Sequence, residues 1–231
     1  MIAIMAIDPG KVTGVARGIF GPGMEAGMRD ALASVVELET WEVEGPHPVQ
    51  AWEICAEFGD WVHGLVKSGV VMAGSMSEEV ALCIEDFRLR TQNVDLDPVM
   101  VMSGITTLLV PRAAGLRGEL GVSGQGGVGM GRYALGAGVY FQQPADAMRF
   151  ATGERLEEWL GRRRMLRVCG GGAGRGGGRV SEHRRDALRH LCFRLGVVMT
   201  ERGGAVSVKA APLGSSDNPV VRKGRTRPWA A

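Results

Sequence analysis

Residues 2–7 (IAIMAI) form an unbroken apolar run that stops at Asp8-Pro9-Gly10. Such a run, with turn formers behind it, reads as a strand buried on both faces. Residues 12–20 (VTGVARGIF) follow at once and read as its hairpin partner. Residues 35–43 (VVELETWEV) alternate apolar with polar, the pattern of a half-buried strand. The period then changes. Trp52, Cys55, Phe58, Val62, Leu65 and Val66 recur at helical spacing within 47–68, which predicts an amphipathic helix with these six on its apolar face. Residues 80–87 return to a buried strand and carry two acids, Glu85 and Asp86, near its end. Residues 98–110 predict a second helix with Pro98 in its first turn. Residues 138–144 predict a fifth, short strand, and 146–150 and 153–161 short helices. Over 181–199, Ala187, Leu188, Leu191, Cys192 and Leu195 make the apolar stripe of a last helix with Ser181 as its N-cap. The predicted order is β-β-β-α-β-α-β-α, an α/β chain.

Composition refines this. A chain of 231 residues can bury a sizeable core, and no apolar run reaches the roughly 18 residues that mark a membrane span. The apolar N-terminus has no basic start and reads as a strand rather than a signal peptide. Cys55, Cys83, Cys169 and Cys192 are far apart with no C-x-x-C, which argues against a zinc site or disulfide framework and for a reducing, cytoplasmic setting. The net charge of +2 conceals a split: residues 1–161 hold 11 Lys+Arg against 21 Asp+Glu, and residues 162–231 hold 16 against 4. A basic C-terminal part of this kind suits a polyanion. Glycine-rich stretches at about 112–138 and 169–178 read as loops, because each helix-interior glycine costs about 1 kcal/mol relative to alanine. One domain over 1–200 and a basic tail over 201–231 are expected.

Candidate chemistry lies at the strand ends. Asp8 closes the first strand and Glu85, or its neighbour Asp86, the fourth; His183 and Asp186 stand one turn apart on the last helix. Each has an ordinary reading alone: Asp8 as a turn former, Glu85 as a solvated strand end, His183 as a surface histidine. If the first and fourth strands are parallel neighbours, Asp8 and Glu85 share one end of the sheet, where ligands gather in open sheets. Three carboxylates and an imidazole there suit hard divalent cations. Two such ions about 3.5–4 Å apart activate water and stabilise the leaving oxygen in phosphodiester hydrolysis. Arg184, Arg185, Arg189 and Arg194 would supply charge for a nucleic-acid backbone.

The stretches 4–16 (IMAIDPGKVTGVA), 83–87 (CIEDF), 142–148 (QQPADAM) with 152–160 (TGERLEEWL), and 183–193 (HRRDALRHLCF), in that order, resemble the ribonuclease-H-like nucleases. They look most like the RuvC-type Holliday junction resolvases, particularly those of bacteriophages. The resemblance implies a ribonuclease-H-like mixed five-stranded sheet, three antiparallel strands and then two parallel, flanked by helices. It implies two Mg2+ or Mn2+ ions held by Asp8, Glu85, His183 and Asp186, with Asp86 as the alternative to Glu85. It implies DNA contacts from Lys11, Arg88, Arg90, Arg184, Arg185 and Arg189, branched and preferably four-way DNA as substrate, and a homodimer, with neither membrane nor nucleotide cofactor. The family also stacks an aromatic at the junction; Phe87 shares the face of Glu85, and core packing is its other reading.

Three alternatives stay open. A flap, fork or other branched-DNA endonuclease would use the same fold and metals. An actin-like ATPase also opens with Asp-x-Gly and Thr-Gly after a first strand, but leaves Glu85, Asp86 and the His-x-x-Asp pair without a role. A non-catalytic DNA-binding module would keep the basic half and leave its acids idle.

Overall fold

The computed structural model describes residues 1–22, 27–72, 79–86, 96–109, 126–127, 137–170 and 180–203. The first apolar run is β1 (Ile2–Asp8), and it lies inside the sheet. On one side it pairs antiparallel with β2 (Val12–Phe20), which pairs antiparallel with β3 (Val35–Glu44). On the other it runs parallel to β4 (Val80–Glu85), which is parallel to β6 (Gly138–Gln142). This is the expected ribonuclease-H-like arrangement of three antiparallel strands followed by two parallel ones. A two-residue strand, β5 (Gly126–Gly127), adds an antiparallel edge to β6 and makes the order β3-β2-β1-β4-β6-β5.

Every side chain from Ile2 to Ile7 is buried, which is what an unbroken apolar run requires. Alternation along the strands divides the core into two layers. Ile2, Ile4 and Ala6 pack with Leu156, Leu160, Met165, Leu188, Leu191 and Leu195. These come from α5 (Gly153–Leu160), α6 (Arg162–Cys169) and α7 (Glu182–Glu201). Ala3, Met5 and Ile7 pack on the other face with Ile54, Phe58, Val62, Val101 and Ile105. These belong to α2 (His47–Lys67) and α3 (Asp97–Leu109). A Cβ on Gly104 would lie 2.8 Å from that of Ala51, so glycine lets α2 and α3 approach closely. Two short helices complete the described elements, α1 (Met28–Ala33) and α4 (Pro144–Phe150).

Several expectations are corrected. Trp52 is 61% exposed; the buried face of α2 is Gln50, Ala51, Ile54, Cys55, Phe58, Trp61, Val62 and Leu65. One residue past Ala51 is a rotation of about 100°, enough to leave the buried stripe. The fourth strand ends at Glu85, and the last helix runs on to Glu201. The fifth expected strand stops at Gln142 because Pro144, which has no backbone N–H, begins α4. Helices α1 and α6 went unpredicted. In α6 the apolar signal is Met165, Leu166, Val168 and Cys169 among four arginines. Most of 112–138, 171–178 and the tail from 204 lie outside the described residues, as does Phe87.

All four cysteines are buried and free. Burial pushes the Cys55 and Cys83 thiols up to about 12 and Cys169 to about 11, so they stay protonated and pack as small apolar side chains. Among the described residues no helix is long and apolar enough to cross a membrane.

Candidate active site

Register sets out the site. Asp8 pairs with Gly14 on β2; Ile7 pairs with Ile84, so Asp8 and Glu85 end their parallel strands side by side; and Glu85 pairs with Gln142 on β6. Alternation turns all four toward the layer that holds α7, since Ala6, Ala16, Cys83 and Tyr140 two positions away pack there. The row Gly14–Asp8–Glu85–Gln142 thus crosses four strands at one end of the sheet.

Helix α7 lies over this row. Its N-cap is Ser181, whose hydroxyl accepts from the Arg184 N–H at 3.3 Å and donates to Glu42 on β3. The first turn then passes over Gly14, where a Cβ would stand 2.1 Å from the His183 carbonyl oxygen. No larger residue fits without moving the helix. Ala187, Leu188 and Leu191 lie fully buried on the sheet side, which leaves His183, Asp186 and His190 at i, i+3 and i+7 facing the strand ends. Seven residues advance a helix by about 10 Å, close to the roughly 10 Å of two strand spacings. One histidine therefore meets Asp8 while the other meets Glu85 and Gln142.

His183 Nδ1 is 3.3 Å from Asp8 Oδ2. Asp8 and Glu85 are in side-chain hydrogen-bond contact. His190 Nε2 lies 3.1 Å from Glu85 Oε2, and its Nδ1 3.0 Å from Gln142 Oε1. Asp186 Oδ1 accepts from Arg189 Nη1. Asp8 and Glu85 are only 15% and 13% exposed. Burial, the Glu85 charge, the hydrogen bond to Glu85 and the Asp186 charge together push the Asp8 carboxyl up to about 9. Glu85 is pulled the other way: burial would raise it, but the bonds from His190 and Asp8 outweigh burial and hold it below the usual range. Asp8 keeps the proton and Glu85 the charge.

That proton marks negative charge massed beyond what neighbouring side chains neutralise, and the donors are the hard oxygens that Mg2+ and Mn2+ accept. The donor chemistry therefore fits a divalent cation. The side chains are engaged with one another instead of gathered around a point: among the described residues no three His, Cys, Asp or Glu side chains form a ready ligand group.

Asp86 takes the opposite face of the strand and accepts from Gln143 Nε2, so Glu85 is the carboxylate turned toward Asp8. Lys11 is exposed in the turn after Asp8. Arg184 donates from Nη1 to the Gly170 carbonyl at 2.9 Å, and Arg189 donates to Asp186 and to the Ala151 carbonyl. Both are committed inside the protein. Arg185 lies 3.9 Å from Glu182, and Arg194 stacks 3.6 Å over the Tyr140 ring. Arg88 and Arg90 lie outside the described residues. Sequence reasoning missed His190 and Gln142. His190 was detectable from the i, i+3, i+7 spacing with His183 and Asp186; Gln142 had no sequence signal, because its place depends on strand pairing.

No model of a known protein family matches the chain, and no curated protein does. Among solved structures, it is similar to RuvC of Thermus thermophilus in complex with a Holliday junction substrate, at 12% identity and a TM-score of 0.44, with 88% of this chain and 97% of that chain covered. It is also similar to Thermus thermophilus RuvC alone, at 14% identity and a TM-score of 0.44, with 88% and 98% covered.

Proposed function

We propose that this chain is a structure-specific DNA endonuclease that resolves four-way junctions by metal-assisted phosphodiester hydrolysis. One observation carries the reading: Asp8 and Glu85 end adjacent parallel strands side by side, and α7 lays His183 and Asp186 over them, with His183 Nδ1 3.3 Å from Asp8 Oδ2. A binding module that never met a cation would have no use for this arrangement, and an ATPase none for the acids on β4 and α7.

Asp8, Glu85 and Asp186 would hold Mg2+ or Mn2+ through carboxylate oxygen, with His183 as a nitrogen donor. Two bound ions would supply an activated water and stabilise the leaving oxygen. Asp8 must release its proton for this, and His183, half-exposed 3.3 Å away, is the neighbouring group able to pass protons to solvent. Arg189 keeps Asp186 aimed across the site until a cation competes for it. Exposed Lys11 and half-buried Arg185 are the described cations best disposed for phosphates. Arg184 and Arg189 serve first as internal braces, and Arg88 and Arg90 complete the proposed contacts. A four-way junction is nearly two-fold symmetric and needs two coordinated nicks, which calls for a homodimer. In this reading residues 1–200 are the nuclease domain, 201–231 a basic tail, and the protein works in the cytoplasm, that of the host cell if phage-encoded.

The test is incubation with labelled four-way junction, flap, fork and plain duplex in Mg2+ or Mn2+. Paired symmetric nicks at the junction that vanish with Asp8→Asn support the resolvase. Cutting confined to flaps or forks shifts the substrate to another branched DNA. Metal-dependent ATP turnover without DNA cleavage overturns the nuclease.

A further inference from the structure

We infer that His190, clasped between Gln142 and Glu85, is a positioning residue that fixes the Glu85 carboxylate for cation binding. This rests on the nuclease reading above and extends it to two residues beyond the Asp/His set.

His190 is 2% exposed and Gln142 5%, so neither is a solvated side chain. A buried histidine is usually satisfied by whatever carbonyl lies nearby. This one spends Nε2 on a carboxylate of the site, at 3.1 Å, and Nδ1 on the side chain that is the register partner of that carboxylate, at 3.0 Å. An ionised carboxylate is acceptor only, so the Glu85 contact requires the proton on Nε2. Nδ1 then either accepts from the Gln142 amide, whose oxygen and nitrogen are interchangeable by a flip, or donates to it as imidazolium. In both states Gln142 holds the ring from behind and the ring holds Glu85 from the side.

Glu85 has three rotatable side-chain bonds and terminates its strand, so without a partner its carboxylate would sweep several positions. His190 stands on the helix that also carries His183 and Asp186, so one rigid element presents two site residues and steadies a third. The His190 bond is to Oε2, and the same carboxylate is in contact with Asp8.

The test uses the full chain and three variants: His190→Leu removes the bond, His190→Gln keeps an N–H donor, and Gln142→Met removes the rear contact. Mn2+ binding is measured by titration calorimetry, folding by circular dichroism, and metal-free binding to a four-way junction by gel shift. Expected are a loss of Mn2+ affinity of about 10–100-fold for His190→Leu, the usual effect of removing such an outer partner, a smaller loss for Gln142→Met, and recovery of most of it by His190→Gln, with junction binding unchanged. If His190→Leu does not fold, His190→Gln and Gln142→Met decide by the same criteria. His190→Leu binding Mn2+ like the wild type, or His190→Gln losing as much as His190→Leu, overturns the inference while leaving the nuclease standing. A wild-type protein without Mn2+ binding that Asp8→Asn abolishes overturns both.

Discussion

A Cβ added to Gly14 would stand 2.1 Å from the carbonyl oxygen of His183 and 2.4 Å from its carbonyl carbon. Gly14 is also the register partner of Asp8. The contact that seats the last helix and the residue that opens the site thus share one rung of the sheet.

Gly14→Ala should lift the first turn of α7 and carry His183 away from Asp8. Overpacking of this kind costs about 1–3 kcal/mol, so the protein should stay folded with a lower Tm. Misplacement of about 1 Å can cost a hundredfold in rate, and junction cleavage should fall by about that much. Thermal unfolding and cleavage kinetics check both; a cleavage loss no larger than the stability change explains would remove Gly14 from the site argument.

Asp8 sets a pH dependence. Its folded value, about 9, lies above the ordinary 3.8, so between those limits the folded chain keeps a proton that the unfolded chain has released. Metal-free stability from this group is therefore lost as pH rises through that window. Glu85 acts in a different range: it is held below 4.5, so its contribution is present above that value and lost as pH falls beneath it. In EDTA, wild-type Tm should decline from pH 5 to 9, and Asp8→Asn should flatten the decline and be the more stable protein at pH 8. Added Mn2+ should raise the wild-type Tm at pH 8 and leave the variant unmoved, because the ion takes the place of the proton. A wild-type Tm indifferent to pH would refute the proton on Asp8.

Adjacent acids should behave differently. Glu85→Gln, facing Asp8, should abolish cleavage. Asp86→Asn should cleave nearly as well as the wild type, because the Asn amide oxygen can still accept from Gln143 Nε2. Reversed outcomes in a junction assay would make Asp86 the carboxylate of the site.

The arginines should divide by their internal partners. Lys11→Ala and Arg185→Ala should weaken DNA binding across sequences and each reduce the salt dependence by about one contact. Arg184→Ala, which strips the Gly170 carbonyl of its donor, should lower Tm more than DNA affinity. Binding titrations at several salt concentrations, with melting curves alongside, separate the two groups.

What depends on neighbours along the chain is legible in the order of residues alone. The unbroken run at Ile2–Ile7 reads as a doubly covered strand, the alternation over 35–43 as a half-covered one, and the stripe from Ala187 to Leu195 as a helix seated on a core. Asp8, Glu85, His183 and Asp186 stood out for the same reason: each is the first polar group beyond an apolar signal, or one turn from the next. Whatever depends on pairing between distant segments emerged only with the packed fold. The pleat turned Glu85 and not Asp86 toward Asp8, because a strand turns successive side chains to opposite faces. Register put Gly14 and Gln142 in line with Asp8 and Glu85, and neither carries a mark in its own neighbourhood. Trp52, placed on the apolar face by spacing alone, turned outward because the packing of α2 selected a stripe beginning at Gln50. His190 falls between the two: its spacing was legible on the helix, but its partners became defined only when α7 crossed the strand ends and brought a buried ring between Gln142 and Glu85.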